Sequence, residues 1–105
     1  VTIGNRVTMI GDYAFGDCTS LTSITIPENT KSIGYHAFID CTSLKEIYCK
    51  PTTPPSGDID MFHNSASGRK IYVPRTSVDA YKNAEVWKEY SEHIVGYDFE
   101  NEKKI

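Results

Sequence analysis

AFGDCTSL at residues 14–21 returns as AFIDCTSL at residues 37–44, with seven of eight letters kept at an offset of 23. Outward from that stretch the register holds. Thr2 matches Thr25, Ile3 matches Ile26, Ile10 matches Ile33, Gly11 matches Gly34 and Ile24 matches Ile47. A third, decayed copy keeps only the skeleton. Phe62 stands nine residues before Ile71, as Phe15 does before Ile24 and Phe38 before Ile47, while Cys-Thr-Ser-Leu becomes Ser65-Ala66-Ser67-Gly68. The apolar triplets VTI, ITI, IYC and IYV thus start at Val1, Ile24, Ile47 and Ile71, and IVG at Ile94 stands as a further rung.

A three-residue strand cannot bury its own apolar face, so a strand recurring at this period predicts stacking on its neighbours. Parallel stacking at about 4.8 Å lines up equivalent side chains. Alternation then sends Ile24, Ile26, Ile47, Cys49, Ile71 and Val73 inward, and Thr2, Thr25, Tyr48 and Tyr72 outward in one row. The IGDYAF segments read as tight turns or short helices, with Ile10, Ala14 and Phe15 closing the far side of the core. Pro27 and Pro74 follow strands, where a missing N–H matters least. The expected fold is a mostly β solenoid with short helical segments: a right-handed stack of short parallel strands with a helical C-terminal cap.

The pattern I-G-x-x-A-F-x-x-C-x-S-L-x-x-I-x-I-P resembles the BspA-type leucine-rich repeat of bacterial cell-surface proteins. Residues 10–27 carry it in full, and residues 33–49 carry it with Lys50 in place of the proline. Residues 62–74 keep the skeleton, and IYVPRTSVDAYKNAEVWKEYSEHI is similar to segments that close such arrays. The resemblance implies a non-catalytic adhesion or protein-binding module at the bacterial surface, with host extracellular matrix or another bacterial surface protein as partner. The alternative is a passive spacer that presents another domain.

One domain of 105 residues accommodates repeats at about 1–23, 24–46 and 47–70, a cap at 71–99 and a charged tail at 100–105. In the cap, Ser77 is placed to begin a helix carrying Val78, Tyr81 and Ala84 at helical spacing, continued by Trp87 and Tyr90. That aromatic stripe seals the last repeat rather than caging a ligand. The Pro-rich KPTTPPSGDID at 50–60 disfavours helix and strand and reads as an extended connection in register. Val1 falls on a strand position, which reads as a chain that continues an upstream array.

A net charge of −3 with dispersed Lys and Arg gives no basic footprint for nucleic acid or an anionic membrane. No apolar run reaches the roughly 20 residues of a membrane span. Three cysteines exclude a fully paired disulfide framework. Cys18 and Cys41 are separated by the repeat period, so they read as core positions; a nucleophile, a metal pair or a disulfide between rungs are the competing readings. His36, His63 and His93 show no zinc spacing, and Asp58 with Asp60 lacks the other ligands of a calcium loop. No catalytic residue, metal or cofactor is therefore expected. The binding candidates are the outward row Thr2, Thr25, Tyr48 and Tyr72 with Glu46, Lys50 and Lys70 beside it; Thr22, Ser23, Lys45 and Arg69 are expected on the same exposed face. Tyrosines there offer contact area plus a hydrogen bond, or simply stack to stabilise the sheet.

Overall fold

The computed structural model describes residues 3–99. The strand position at Val1, Thr2 of the outward row and the tail 100–105 lie outside the described residues. Two parallel sheets run side by side along the chain. The larger has the order β2 (Ser23–Ile26), β4 (Glu46–Cys49), β5 (Lys70–Pro74), β6 (Ile94–Tyr97). The smaller pairs β1 (Met9–Ile10) with β3 (Ser32–Ile33), and a bridge from Ser32 to Ser56 adds one more rung. The register follows the period read from the sequence: Ile24 pairs with Ile47, Ile47 with Ile71, and Ile71 with Ile94.

The alternation decides what lies inside. Ile24, Ile26, Ile47, Cys49, Ile71 and Val73 are all buried from one face of the larger sheet. A fully buried isoleucine contributes about 1.5–3 kcal/mol relative to an exposed one, so this ladder is a substantial part of the core beside the larger buried rings of Phe38, Phe62, Tyr81 and Trp87. The turns stack as well, through backbone bonds of 2.8–2.9 Å from Phe15 N–H to Ala37, Asp17 N–H to Ile39, Phe38 N–H to Met61 and Asp40 N–H to His63. Phe15, Phe38 and Phe62 form a column with ring centroids 5.2 and 5.4 Å apart. Phe38 and Phe62 are fully buried, whereas Phe15 is only half-buried and Ala14, expected in the core, is exposed. Its counterpart Ala37 is buried. The difference is that the second turn has neighbours on both sides.

Residues 50–60 form no strand beyond the single bridge at Ser56. Prolines 51, 54 and 55 donate no N–H, and four carbonyls of this stretch accept side-chain bonds from the C-terminal segment. The Tyr81 hydroxyl donates to Pro51 O at 2.6 Å, the Trp87 indole N–H to Pro55 O at 2.7 Å, and Ser77 Oγ to Thr52 O at 2.8 Å. The Tyr90 hydroxyl donates to Ile59 O. Trp87 and Tyr90 also pack on Phe62, at 6.0 and 5.6 Å, and so close the phenylalanine column.

The cap is not one helix. After a 3-10 turn at Arg75–Ser77, α1 covers Val78–Asn83, and a separate 3-10 helix covers Trp87–His93. Between them Val86 has φ of 73°, a costly conformation for a β-branched residue. That break re-aims Trp87 so that Tyr81 and Trp87 meet edge to face at 5.0 Å. The expected capping role of Ser77 is corrected too. It stands before α1 but makes no capping bond, because its hydroxyl is spent on Thr52 O. Pro74, expected to follow β5, is its last residue and pairs with Tyr97.

Candidate functional site

The outward face of the larger sheet carries the expected row. Thr25, Tyr48 and Tyr72 stand opposite one another on neighbouring strands, and Val95 continues the row on β6. Thr25 is exposed and both tyrosines are half-buried. The two rings stack at 4.7 Å with 12° between their planes. Their burial has a further source in the C-terminal strand. Tyr97, from the end of β6, sets its ring edge-on to both at 5.5 Å, and Phe99 packs on Tyr97 at 4.8 Å. Lys50 extends its ammonium 5.9 Å from the Phe99 ring centroid, within reach of a cation–π contact.

Glu46 and Lys70 are exposed and paired across β4 and β5 at the start of the row. Beside them lies a shallow depression of about 400 Å³ lined by Thr22, Lys45, Glu46, Gly68, Lys70 and Tyr72. Gly68, at φ 77°, has no side chain to fill it. The structure therefore brings together Thr25, Glu46, Tyr48, Lys50, Lys70 and Tyr72 on one face. Thr22, Ser23 and Lys45 are exposed as expected. Arg69 is half-buried instead, because its guanidinium sits 5.4 Å over the Tyr90 ring. Tyr97 and Phe99 follow the triplet IVG by one and three residues, and the alternation of β6 applied to Tyr97 would have placed it on this face.

The thiols do not act as expected of nucleophiles. All three cysteines are free. Cys41 and Cys49 are buried in the core, and Cys18 is half-buried against it. Burial pushes the Cys49 thiol up to about 12 and raises Cys41 as well, so neither supplies a thiolate at neutral pH. Cys41 Sγ lies 3.0 Å from Phe15 O, a turn-to-turn bond between consecutive copies. Tyr81, whose hydroxyl lies 3.4 Å from Cys49 Sγ, is also raised, mainly by burial. Among the described residues, no helix is long and apolar enough to cross a membrane.

Residues 1–86 match the family model described as BspA type Leucine rich repeat region (6 copies). A comparison with curated proteins gives no match.

Proposed function

Since the chain belongs to the BspA-type leucine-rich-repeat family, we propose that it is a non-catalytic protein-binding module of a bacterial cell-surface protein. Its repeats wind as a right-handed solenoid, and it adheres through the outward face of the larger sheet. Leucine-rich-repeat families are protein-interaction or surface repeat modules, and they are generally non-catalytic. The observation that carries the reading here is the row Thr25–Tyr48–Tyr72 with Tyr97, flanked by Glu46, Lys50 and Lys70. Aromatic rings held by neighbouring strands present contact area at small entropic cost, because the scaffold has already fixed them. Proteins of the host extracellular matrix and other bacterial surface proteins are the partners this reading favours.

The experiment is surface plasmon resonance of the chain over immobilised extracellular-matrix proteins, compared with a Tyr48→Ser/Tyr72→Ser double variant whose far-UV spectrum and melting curve show that it is folded. The reading expects a weakening of at least about 30-fold, the loss typical of removing a binding hot spot. Equal binding by parent and folded variant, or no matrix protein bound by the parent, would remove the sheet-face adhesion reading. One observation favours the alternative of a passive spacer: Tyr97 covers part of Tyr48 and Tyr72, as expected of rings that stabilise a sheet.

A further inference from the structure

Just after β3 and the Ser56 bridge, the chain brings one histidine against two carboxylates. We propose that His36, Asp58 and Asp60 form a binding site for a divalent transition-metal ion, of which Zn²⁺ is the representative. One ligand atom from each of the three lies within 4.8 Å of the others. They come from successive copies. Counting 23 on from His36 reaches Ile59, and the two aspartates flank it. No local zinc spacing exists in the sequence because the repeat, not the helix turn, sets the distance between ligands.

The geometry is already partly fixed. His36 Nδ1 is buried, has no hydrogen-bond partner and lies 3.4 Å from Asp58 Oδ1. With metal–nitrogen and metal–oxygen bonds of about 2.0–2.2 Å, a tetrahedral site separates its ligand atoms by about 3.4 Å. The imidazole is held in plane by Tyr35, whose ring stacks on it at 3.7 Å, and by Tyr13 at 5.5 Å. Asp58 is anchored through both oxygens, accepting from His36 N–H at 2.6 Å and from Asp60 N–H at 2.8 Å. A carboxylate oxygen that accepts one N–H retains a second lone pair for an ion. Only Asp60 must move, and its side chain is 48% exposed. His63, 63% exposed with Nδ1 4.0 Å from Asp60 Oδ1, is placed to swing in as a fourth ligand.

Imidazole nitrogen with two carboxylates suits Zn²⁺ and its first-row neighbours better than calcium, which takes six or more oxygens. An ion here would tie the turn after β3 to the Pro-rich connection on which the cap rests. It would act as a clip within the scaffold, independent of the sheet face.

The test is a titration of Zn²⁺ into the 105-residue chain at pH 7.5 by isothermal calorimetry, with melting curves and ¹⁵N spectra of the histidine rings. The expected result is saturable 1:1 binding, displacement of the His36 Nδ1 resonance, and a melting temperature raised by at least about 5 °C at saturating metal. Asp60→Asn and His36→Asn are each expected to weaken binding by at least about tenfold. Asparagine tolerates the φ of 52° that His36 adopts, so the second variant keeps the turn. Cys18→Ser is expected to bind as the parent does. No saturable binding, or binding that survives both Asp60→Asn and His36→Asn, overturns the proposal. So does an unmoved His36 resonance when metal binds, since it would place the ion elsewhere.

Discussion

Residues 10–49 and residues 50–97 keep nearly the same step and share the backbone ladder of the larger sheet, but the second region adds side-chain bonds where its own backbone lacks donors. In the first region each turn rests on the next through main-chain ladders, and the repeated Phe, Cys and Leu fill equivalent sites. In the second, prolines 51, 54 and 55 remove donors, and tyrosine, tryptophan and serine side chains bond to carbonyls of that stretch. A repeat can therefore lose its motif and still stay in register, provided that side chains take over the hydrogen bonds. The trade has a consequence. Backbone ladders survive most single substitutions, whereas a bond made by one side chain does not.

Trp87→Ala tests this most severely. It removes a fully buried ring, ends the contacts with Phe62 and Tyr81, and strands the Pro55 carbonyl. A loss of about 3–5 kcal/mol is expected from the cavity alone, a large share of the roughly 5–15 kcal/mol that holds an ordinary domain folded. Phe15→Ala, in the half-buried first turn, is expected to cost far less. Urea denaturation of both variants measures the difference. Equal losses would mean that the two regions do not differ in the way described.

High pH attacks the second region next. The Cys49 thiol is pushed up to about 12 by burial, and Tyr81 beside it is raised for the same reason. An unfolded cysteine ionises near 9.0. The folded chain holds that proton more tightly, so the stabilisation is complete below pH 9 and is lost as pH rises towards 12. Melting temperatures measured from pH 8 to 12 should fall across this window, with a loss of up to about 4 kcal/mol in stability. Cys49→Ala should make the fall shallower, though not abolish it while Tyr81 remains.

Glycine substitutions separate the regions again, on a smaller scale. A Cβ on Gly34 would collide with the backbone of Gly11 and Asp12 in the neighbouring turn, which cannot yield. A Cβ on Gly57 would meet Met61 Sδ at 2.7 Å, the middle of a flexible side chain. Gly34→Ala is expected to destabilise by about 1–3 kcal/mol and Gly57→Ala by less, with Gly11→Ala neutral because nothing lies within 4 Å. Chemical denaturation of the three variants ranks them.

Most of the core was legible in the sequence, because Ile24, Ile47, Ile71 and Ile94 recur at the period and alternation fixes their direction. The turns were legible in position but not in conformation. Tyr13, Asp17, His36, Asp40 and Asn64 adopt positive φ without being glycine; Asp, Asn and His tolerate that region, but their letters alone do not say which of them must enter it. The break at Val86 was hidden for the same reason: a helical stripe of Tyr81, Ala84 and Trp87 says nothing about carbonyls 30 residues upstream. Of the candidate surface, Tyr48 and Tyr72 were visible as letters that change between copies. Tyr97 and Phe99 lie just beyond the last apolar triplet, where the repeat no longer guides the eye.

Ser77 turns that lesson into the smallest and sharpest of the tests. By sequence it stands before a helix, where serine and aspartate serve almost equally well as caps. In the structure its hydroxyl is a donor to Thr52 O at 2.8 Å, and α1 gains no side-chain bond from it. Ser77→Ala therefore loses one hydrogen bond to the Pro-rich connection and is expected to cost about 1 kcal/mol. Ser77→Asp discriminates between the two roles. A carboxylate has no proton to give at neutral pH, so it would face the Thr52 carbonyl with like partial charge in a buried position. A capping residue would make aspartate as stable as serine; a strut makes it less stable than alanine. Melting curves of the three side chains at pH 7 decide between the roles, and the order Ser above Ala above Asp is the one that the bond to Thr52 requires.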